Sequence, residues 1–95
     1  MNRLSLRLFI TGNNPRSQSA VERLREAVGD MVEAVDLDIV DVQEKPDLAE
    51  AHRVLATPTL IRLAPLPTLR LVGDMSNTEL LRQAMGVSRG IQRLM

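Results

Sequence analysis

Apolar and polar residues alternate in two segments near the start of the chain. Apolar side chains recur with a period of two between Leu4 and Ile10, which is typical of a strand with at least one buried face. Residues 35–42 follow the same period and carry acidic side chains at Asp36 and Asp38. The pattern therefore predicts two strands, with both carboxylates on the outer face of the second.

A segment whose apolar residues recur at helical spacing lies between these two strands. The predicted helix is capped by Ser17 or by Ser19, with Glu22 as the capping-box partner of Ser19. Its C-terminal boundary stays open near Gly29. Its predicted apolar face comprises Val21, Leu24, Val28, Met31 and Val32.

Two more helices are predicted further along. The first begins at Pro46, since proline is tolerated in a first turn, and ends before residues 56–58. Its predicted apolar face comprises Leu48, Ala51, His52 and Leu55. The last helix is capped by Ser76 or Asn77 and ends before Gly86. Its predicted apolar face comprises Leu80, Leu81, Ala84 and Met85.

A hairpin is predicted between these two helices. Residues 59–63 and 69–72 are strand-like, and a proline-rich turn at 65–67 joins them into an antiparallel pair. The complete order is β-α-β-α-β-β-α, and strands joined by a helical crossover are expected to pair in parallel. This single α/β domain has the element order of the thioredoxin fold.

Length and composition narrow the function. A chain of 95 residues supports one hydrophobic core and not two. Twelve basic residues balance twelve acidic ones and Phe9 is the only aromatic residue, so the charge and stacking groups of a nucleic-acid binder are missing. No apolar run is long enough to cross a membrane, and the alternating N-terminus is unlike a signal peptide. We therefore expect a cytoplasmic protein that binds neither nucleic acid nor membranes.

Catalytic and metal chemistry has few candidate residues. The chain has no cysteine, which excludes disulfides, thiol redox chemistry and zinc–thiolate sites. His52 is the only histidine and has no nucleophile pattern around it. Asp36 and Asp38 are predicted on one strand face and Asp41 on the other, too few oxygen ligands for calcium, and the glycine spacing around Gly12 fits no common phosphate loop. The sequence thus predicts no catalytic residue, no metal site and no cofactor.

The segment Thr57-Pro58-Thr59 lies between a predicted helix and the hairpin. This is the place of the cis-proline in the thioredoxin fold, although the sequence does not show the isomer. In thioredoxins that proline faces a Cys-x-x-Cys loop, whose counterpart here is Asn13-Asn14-Pro15-Arg16. Without the nucleophile, the thioredoxin reaction is chemically impossible.

Three blocks of sequence, in order and at similar spacing between about residue 4 and residue 86, resemble the KaiB family. They are the segment LFITGNNP at 8–15, the central stretch at 41–60 that ends in LATPTL, and GDMSN at 73–77. Any one of these blocks would be a weak signal, but together they are specific.

The resemblance implies a non-enzymatic component of a clock or stress-timing system. KaiB proteins bind the N-terminal ATPase ring of KaiC, and in cyanobacteria they help to sequester KaiA and to displace the SasA kinase. They are also metamorphic: a ground-state fold forms dimers or tetramers, and a rare thioredoxin-like form binds KaiC. The resemblance therefore implies a KaiC-type ATPase as partner, with the KaiB ground-state fold as the alternative to the thioredoxin-like one.

The family resemblance also implies a contact surface, formed by the first loop and helix start together with the second strand. Ser19 stands where an arginine is usual, and Asp36 and Asp38 stand where clock KaiB proteins have a neutral and a basic residue. The tail at 87–95 is mildly basic rather than acidic. These changes alter a partner-facing charge pattern and indicate a divergent member. The candidate partner-binding residues are Thr11, Asn13, Arg16, Ser19, Asp36 and Asp38.

The last predicted helix bears on which fold is populated. KaiB proteins resemble Ile-Gly-Leu-Asp where this chain has Gln83-Ala84-Met85-Gly86. Glycine inside a helix costs about 1 kcal/mol relative to alanine, so Ala84 is predicted to favour the thioredoxin-like form by about fivefold. The candidate structural and fold-switch residues are Pro58, Gly73, Asp74, Ala84 and Gly86.

The same sequence bears on two other functions and on the oligomeric state. A sensor domain of the SasA kind is disfavoured because no linker or kinase segment is present, and a non-thiol enzyme because no acid–base pair clusters. The domain is predicted to span residues 1–86, followed by a short tail at 87–95. A leucine stripe fits either the core or a homo-oligomer interface, as a dimer or tetramer, because so small a domain covers limited apolar surface. The stripe comprises Leu60, Leu63, Leu66 and Leu69.

Overall fold

The computed structural model describes residues 3–29, 34–73 and 75–85. The predicted order of elements is confirmed within them, and the chain adopts the predicted thioredoxin-like fold. The strands are β1 (Leu4–Ile10), β2 (Val35–Asp41), β3 (Thr59–Ala64) and β4 (Leu69–Val72). The helices are α1 (Pro15–Val28), α2 (Pro46–Ala51) and α3 (Thr78–Met85). Predictions for Met31, Val32, Asp74, Gly86 and the tail at 87–95 lie outside the described residues.

The four strands form one mixed sheet in the order β2-β1-β3-β4. β1 and β2 pair in parallel across α1, as predicted, but β3 pairs antiparallel with β1, so the expectation of a parallel crossover is wrong for β2 to β3. The six residues of α2 rise only about 9 Å, so this helix does not by itself carry the chain back along a strand of about 23 Å. β3 starts at the end of the sheet where β2 stops, and β4 completes the predicted antiparallel hairpin.

Two apolar clusters pack on opposite faces of this sheet. Leu8 and Phe9 are neighbours on β1, both fully buried, and point to opposite faces because side chains alternate along a strand. The larger cluster lies against α1 and α3 and contains Leu6, Leu8, Leu24, Leu60 and Leu81. The smaller cluster lies against α2 and contains Phe9, Val40, Ala49 and Ile61. We call these two sides the α1/α3 face and the α2 face.

Helix α1 begins earlier than predicted. Neither Ser17 nor Ser19 is its cap, and Glu22 therefore completes no capping box. Asn14 caps the helix instead, because its Oδ1 accepts hydrogen bonds from two backbone N–H groups of the first turn at 2.9 and 3.3 Å. Pro15 takes the first helical position, where a missing N–H group costs nothing.

Helix α2 is shorter than predicted. It ends at Ala51, and its buried residue is Ala49. Arg53 adopts a positive φ of 54°, which breaks the helical path. Leu55 is 95% exposed, so its predicted place on the apolar face is wrong.

Helix α3 follows the predicted pattern closely. Of the two predicted caps Asn77 is used, since its Oδ1 accepts the backbone N–H of Leu80 at 3.1 Å. Leu80 itself is 44% exposed rather than buried. The residues of the predicted apolar face that are buried are Leu81, Ala84 and Met85.

The leucine stripe divides between core and surface. Leu60 is buried in the α1/α3 cluster, and Leu63 packs half-buried against the α2 cluster. Leu66 is 78% exposed and Leu69 is 36% exposed. The stripe is therefore neither wholly core nor wholly interface.

A buried arginine fastens α3 to the hairpin. Arg62 on β3 is 9% exposed, and its guanidinium donates hydrogen bonds to the carbonyl oxygens of Ala84 at 3.0 Å and Pro67 at 2.9 Å. No described group accepts the hydrogen of its Nε. The last turn of α3 and the β3–β4 turn are thus tied to one side chain.

Candidate functional site

The first half of the predicted contact surface is the loop between β1 and α1. Asn13 and Arg16 are exposed, and Ser19 is half-buried on the second turn of the helix. Thr11 is held more firmly, because its backbone N–H donates to Ser17 Oγ at 3.0 Å. The loop therefore presents exposed polar side chains from an anchored base.

The anchoring extends to the segment before β3. The hydroxyls of Thr11 and Thr57 lie 2.6 Å apart and share a hydrogen bond. The Thr57–Pro58 peptide is cis, and Pro58 is fully buried. The predicted counterpart of the thioredoxin cis-proline thus lies beside the β1–α1 loop. That loop carries Asn13-Asn14-Pro15-Arg16, with no thiol.

The second half of the predicted surface is the acidic pair on β2. Asp36 and Asp38 are exposed on the α2 face, with side chains 60% and 57% accessible. Arg3 donates to both carboxylate oxygens of Asp36, at 3.0 and 2.8 Å. Arg7 donates to Asp38 Oδ2 at 3.1 Å. Two arginines of the neighbouring strand segment therefore largely balance the charges that the sequence placed on this face.

The Arg3–Asp36 pair changes the acidity of both groups. Hydrogen bonds from Arg3, rather than burial, lower the pKa of the Asp36 carboxyl below its ordinary value. The same bonds raise the pKa of the Arg3 guanidinium. Asp36 is thus held as a carboxylate, with acceptor capacity left for a second donor.

His52, at the C-terminal end of α2, contacts side chains of β1. Arg7 Nη1 lies 3.1 Å from His52 Nε2, and because arginine can only donate, Nε2 is the acceptor of this hydrogen bond. The ring lies 5.6 Å from that of Phe9 in a tilted arrangement. Arg70 on β4 donates to the carbonyl oxygens of His52 at 2.6 Å and Arg53 at 3.3 Å. His52 therefore has packing and hydrogen-bonding partners that account for its position without catalysis.

The structure does not bring the two halves of the predicted surface into one cluster. The loop after β1 lies at the carboxyl ends of the parallel strands β1 and β2, beside Asp41, which pairs with Ile10. Asp38 and Asp36 lie three and five residues before Asp41, about 10 and 16 Å along the strand. A partner that touches both halves must therefore lie along the β2 side of the sheet.

An apolar groove lies on that side, next to the β2 edge. It measures about 290 Å³ and lies on the α1/α3 face, between the end of α1 and the outer strand. It is lined by Arg25, Val28, Gly29, Val35 and Leu37. Sequence reasoning did not identify this groove, since it depends on how the end of α1 packs beside β2.

The remaining predicted structural residues are placed as follows. Gly73 has a φ of 126°, a conformation that side chains rarely adopt, and Ala84 is 4% exposed within α3. Asp74 and Gly86 lie outside the described residues.

Within the described ranges no group of three or more His, Asp or Glu residues could hold a metal ion. None of the described helices is long and apolar enough to cross a membrane.

The sequence relatives of this chain include named clock proteins. A family model described as KaiB domain matches residues 7–87. The chain is 48% identical over 80 residues to circadian clock protein KaiB3 of Synechocystis sp., covering 83% of this chain and 78% of the relative. It is 41% identical over 75 residues to a circadian clock oscillator protein KaiB of Prochlorococcus marinus, covering 78% of this chain and 63% of the relative.

Solved structures show the same fold. The N-terminal domain of Synechococcus elongatus SasA matches with a TM-score of 0.72 and 27% identity, over 93% of this chain and 85% of that domain. Mitochondrial thioredoxin 3 of Saccharomyces cerevisiae matches with a TM-score of 0.73 and 20% identity, over 90% of this chain and 78% of the thioredoxin, which is a likeness of fold alone. The family match, the identities and the element order agree with one another. The chain belongs to the KaiB family.

Proposed function

We propose that this chain is a non-enzymatic regulatory adaptor that binds a KaiC-type ATPase ring in a clock or stress-timing system. The observation that carries the proposal is its membership of the KaiB family, whose named relatives here are clock proteins. The likeness to the SasA N-terminal domain adds a second clock protein with the same fold. A cytoplasmic location is part of this proposal.

Binding rather than catalysis is the mode of action that the residues favour. The loop that faces Pro58 has no cysteine, so the likeness to thioredoxins extends to the fold and not to their chemistry. The sole histidine has Arg7 and Phe9 as partners. Side chains exposed around the loop and β2 are amides, arginines and carboxylates, which suit polar recognition of a protein surface.

We propose that the partner lies along the β2 side of the sheet. Asn13 and Arg16 would meet it at the carboxyl end, with Thr11 and Ser19 supporting the loop and helix. Asp36 and Asp38, nearer the start of β2, would accept hydrogen bonds from the partner in addition to those from their arginines. In the described sheet the outer side of β2 has no paired strand. Its backbone groups would give affinity if a partner strand paired with this edge.

Size-exclusion chromatography with the KaiC-type ATPase encoded in the same genome tests this function. The full chain is mixed with the ATPase in the presence of ATP and, separately, of ADP. We expect co-migration with a preference for one nucleotide state. Absence of co-migration in both states, with a folded chain by circular dichroism, would contradict the proposal.

Charge reversals locate the surface. Arg16→Glu and Asp38→Lys are each expected to weaken co-migration about tenfold or more, since like-charge contacts at an interface are costly. Glu50→Lys, a matched reversal at an exposed position of α2, is the control and is expected to leave binding unchanged. Equal losses from Asp38→Lys and Glu50→Lys, which change the net charge by the same amount in the same direction, would assign the loss to net charge and not to this surface.

The likeness to the SasA domain supports a second candidate, an interaction domain that binds a different signalling partner. The two candidates differ in one measurement. If the ATPase does not co-migrate but the chain competes with a SasA-type domain for that domain's partner, the second candidate replaces the first.

A further inference from the structure

Arg7 on β1 connects two residues that lie on different elements. Its Nε donates to Asp38 Oδ2 on β2 at 3.1 Å. Its Nη1 lies 3.1 Å from Nε2 of His52, at the C-terminal end of α2. Because an arginine side chain has donors only, Nε2 carries no hydrogen in this contact. One guanidinium therefore links the end of α2 to a carboxylate of the β2 edge.

The three linked side chains differ in exposure. Asp38 is 57% accessible, whereas Arg7 is 24% accessible and His52 is half-buried. Ion pairs between fully exposed side chains are weak, partly because both partners lose rotamer freedom when they meet. Here the arginine is restrained on its inner side by His52. Its Nε therefore points at the carboxylate from a side chain that is already held.

His52 itself is anchored through its ring and through both of its backbone polar groups. The ring lies 5.6 Å from the ring of the fully buried Phe9. The backbone N–H donates to the carbonyl oxygen of Leu48 at 3.1 Å, and the carbonyl oxygen accepts from Arg70 at 2.6 Å. The acceptor that holds Arg7 is thus fixed in place by other elements of the fold.

The neighbouring ion pair on the same strand face is built differently. Arg3 binds Asp36 through two hydrogen bonds, from Nε at 3.0 Å and from Nη2 at 2.8 Å, and both side chains are exposed. Among the described residues, the His52 ring contacts Arg7 and Phe9 and neither member of this pair. The Arg3–Asp36 pair is therefore an internal comparison for any effect that starts at His52.

We propose that His52 is a positioning residue of the partner surface, which acts through Arg7 to orient the Asp38 carboxylate towards a donor on the ATPase. Oδ1 of Asp38 accepts no hydrogen bond from the described residues, so it is available to that donor. The inference rests on the proposed function, because it concerns how the same surface recognises its partner. It adds a residue on α2 that sequence pattern did not connect with the β2 edge.

The competing explanation is that His52 only fills space against Phe9. Packing depends on the shape of the ring, whereas positioning depends on the acceptor at Nε2. Two substitutions separate these properties. His52→Phe keeps a ring against Phe9 and removes the acceptor. His52→Gln removes the ring but has a side-chain oxygen that can accept from Arg7.

The first measurement uses the full chain alone. NMR follows the exchange of the Arg7 Nε hydrogen with water, which is slower when the guanidinium is ordered and hydrogen-bonded. We expect faster exchange in His52→Phe and exchange similar to that of the unmodified chain in His52→Gln. The Nε hydrogen of Arg3 is the matched control and should exchange equally in all three chains. An unchanged Arg7 signal in His52→Phe would overturn the proposal.

The second measurement is the affinity for the ATPase. His52→Phe is expected to bind roughly two- to tenfold more weakly, which is the effect of one hydrogen bond, and His52→Gln is expected to restore binding. Because the effect passes through Asp38, His52→Phe should cause no further loss in a chain that already carries Asp38→Ala. An equal loss in both backgrounds would assign the effect to packing and overturn the proposal.

The two proposals fail in different ways. If the unmodified chain does not bind the ATPase, the proposed function is wrong, and the partner role of His52 falls with it. If the unmodified chain binds and His52→Phe binds equally well, this inference alone is wrong. Circular dichroism verifies the fold of each variant.

Discussion

The ion pair between Arg3 and Asp36 gives one carboxyl a measurable signature. Hydrogen bonds from Arg3 lower the pKa of Asp36. A group with a lowered folded-state pKa adds stability at pH values above its ordinary pKa, and this is lost as pH falls through the lowered one. We expect Arg3→Gln to raise the pKa of Asp36 towards the ordinary value of an aspartate, measured by NMR titration of the carboxyl carbon. Arg25→Gln, an exposed arginine of α1, is the control, and an equal change in that variant would rule out the specific pair.

Arg62 supports a second prediction because it is buried and donates to two carbonyls. Arg62→Met keeps most of the side-chain volume but leaves the carbonyls of Ala84 and Pro67 without these donors. We expect a loss of about 1–3 kcal/mol in unfolding free energy by urea denaturation, with faster amide exchange in α3. Arg82→Met, on an exposed position of α3, is expected to change stability by no more than about 0.5 kcal/mol. A more stable Arg62→Met variant would mean that desolvation of the guanidinium outweighs its bonds.

At this scale, sequence pattern identifies exposed residues better than their partners. Alternation in 35–42 was enough to place Asp36 and Asp38 on an exposed strand face. Their pairing with Arg3 and Arg7 depends on the register of β1 against β2, which no local pattern encodes. Thr11 and Thr57 are 46 positions apart and meet only because β3 returns beside β1.

At the scale of elements, the periodicity of apolar residues predicted which helices and strands are present. The residues at which they begin and end depend instead on local chemistry. Asn14 precedes a proline that suits the first helical position, so the helix starts there and not at a serine. The positive φ of Arg53 ends any helical course before Leu55. In both cases one residue with a special backbone role outweighed the spacing of apolar side chains.

Helix α3 carries the prediction that concerns the choice of fold. Ala84→Gly is expected to cost about 1 kcal/mol in helix propensity. It also removes a methyl group from a buried position, since Ala84 is 4% exposed. Amide NMR of residues 75–85 should show a smaller helical population. Gln83→Gly has a similar backbone cost at an exposed position and is the matched control. If both variants behave alike, burial of Ala84 contributes nothing to holding α3 in place.

For the whole molecule, the place and direction of β3 do not follow from local sequence pattern. The six residues of α2 do not carry the chain back along the seven-residue β2, and β3 pairs antiparallel with β1, which leaves β2 at the edge of the described sheet. That edge is the side that we propose faces the ATPase, together with the loop before α1.

The two apolar clusters are expected to unfold together, because β1 and β3 contribute to both. Leu24→Ala acts only on the α1/α3 cluster and Ile61→Val only on the α2 cluster. The expected losses of unfolding free energy are about 2–5 and about 0.5–1.5 kcal/mol. The chain has no tryptophan or tyrosine, so urea unfolding is followed by amide NMR signals from α2 and α3. Each substitution should lower the midpoint reported by both helices equally. Were α2 to keep its original midpoint in Leu24→Ala, the sheet would be joining two separate units, and α3 could detach while the β2 edge and the loop before α1 stayed folded.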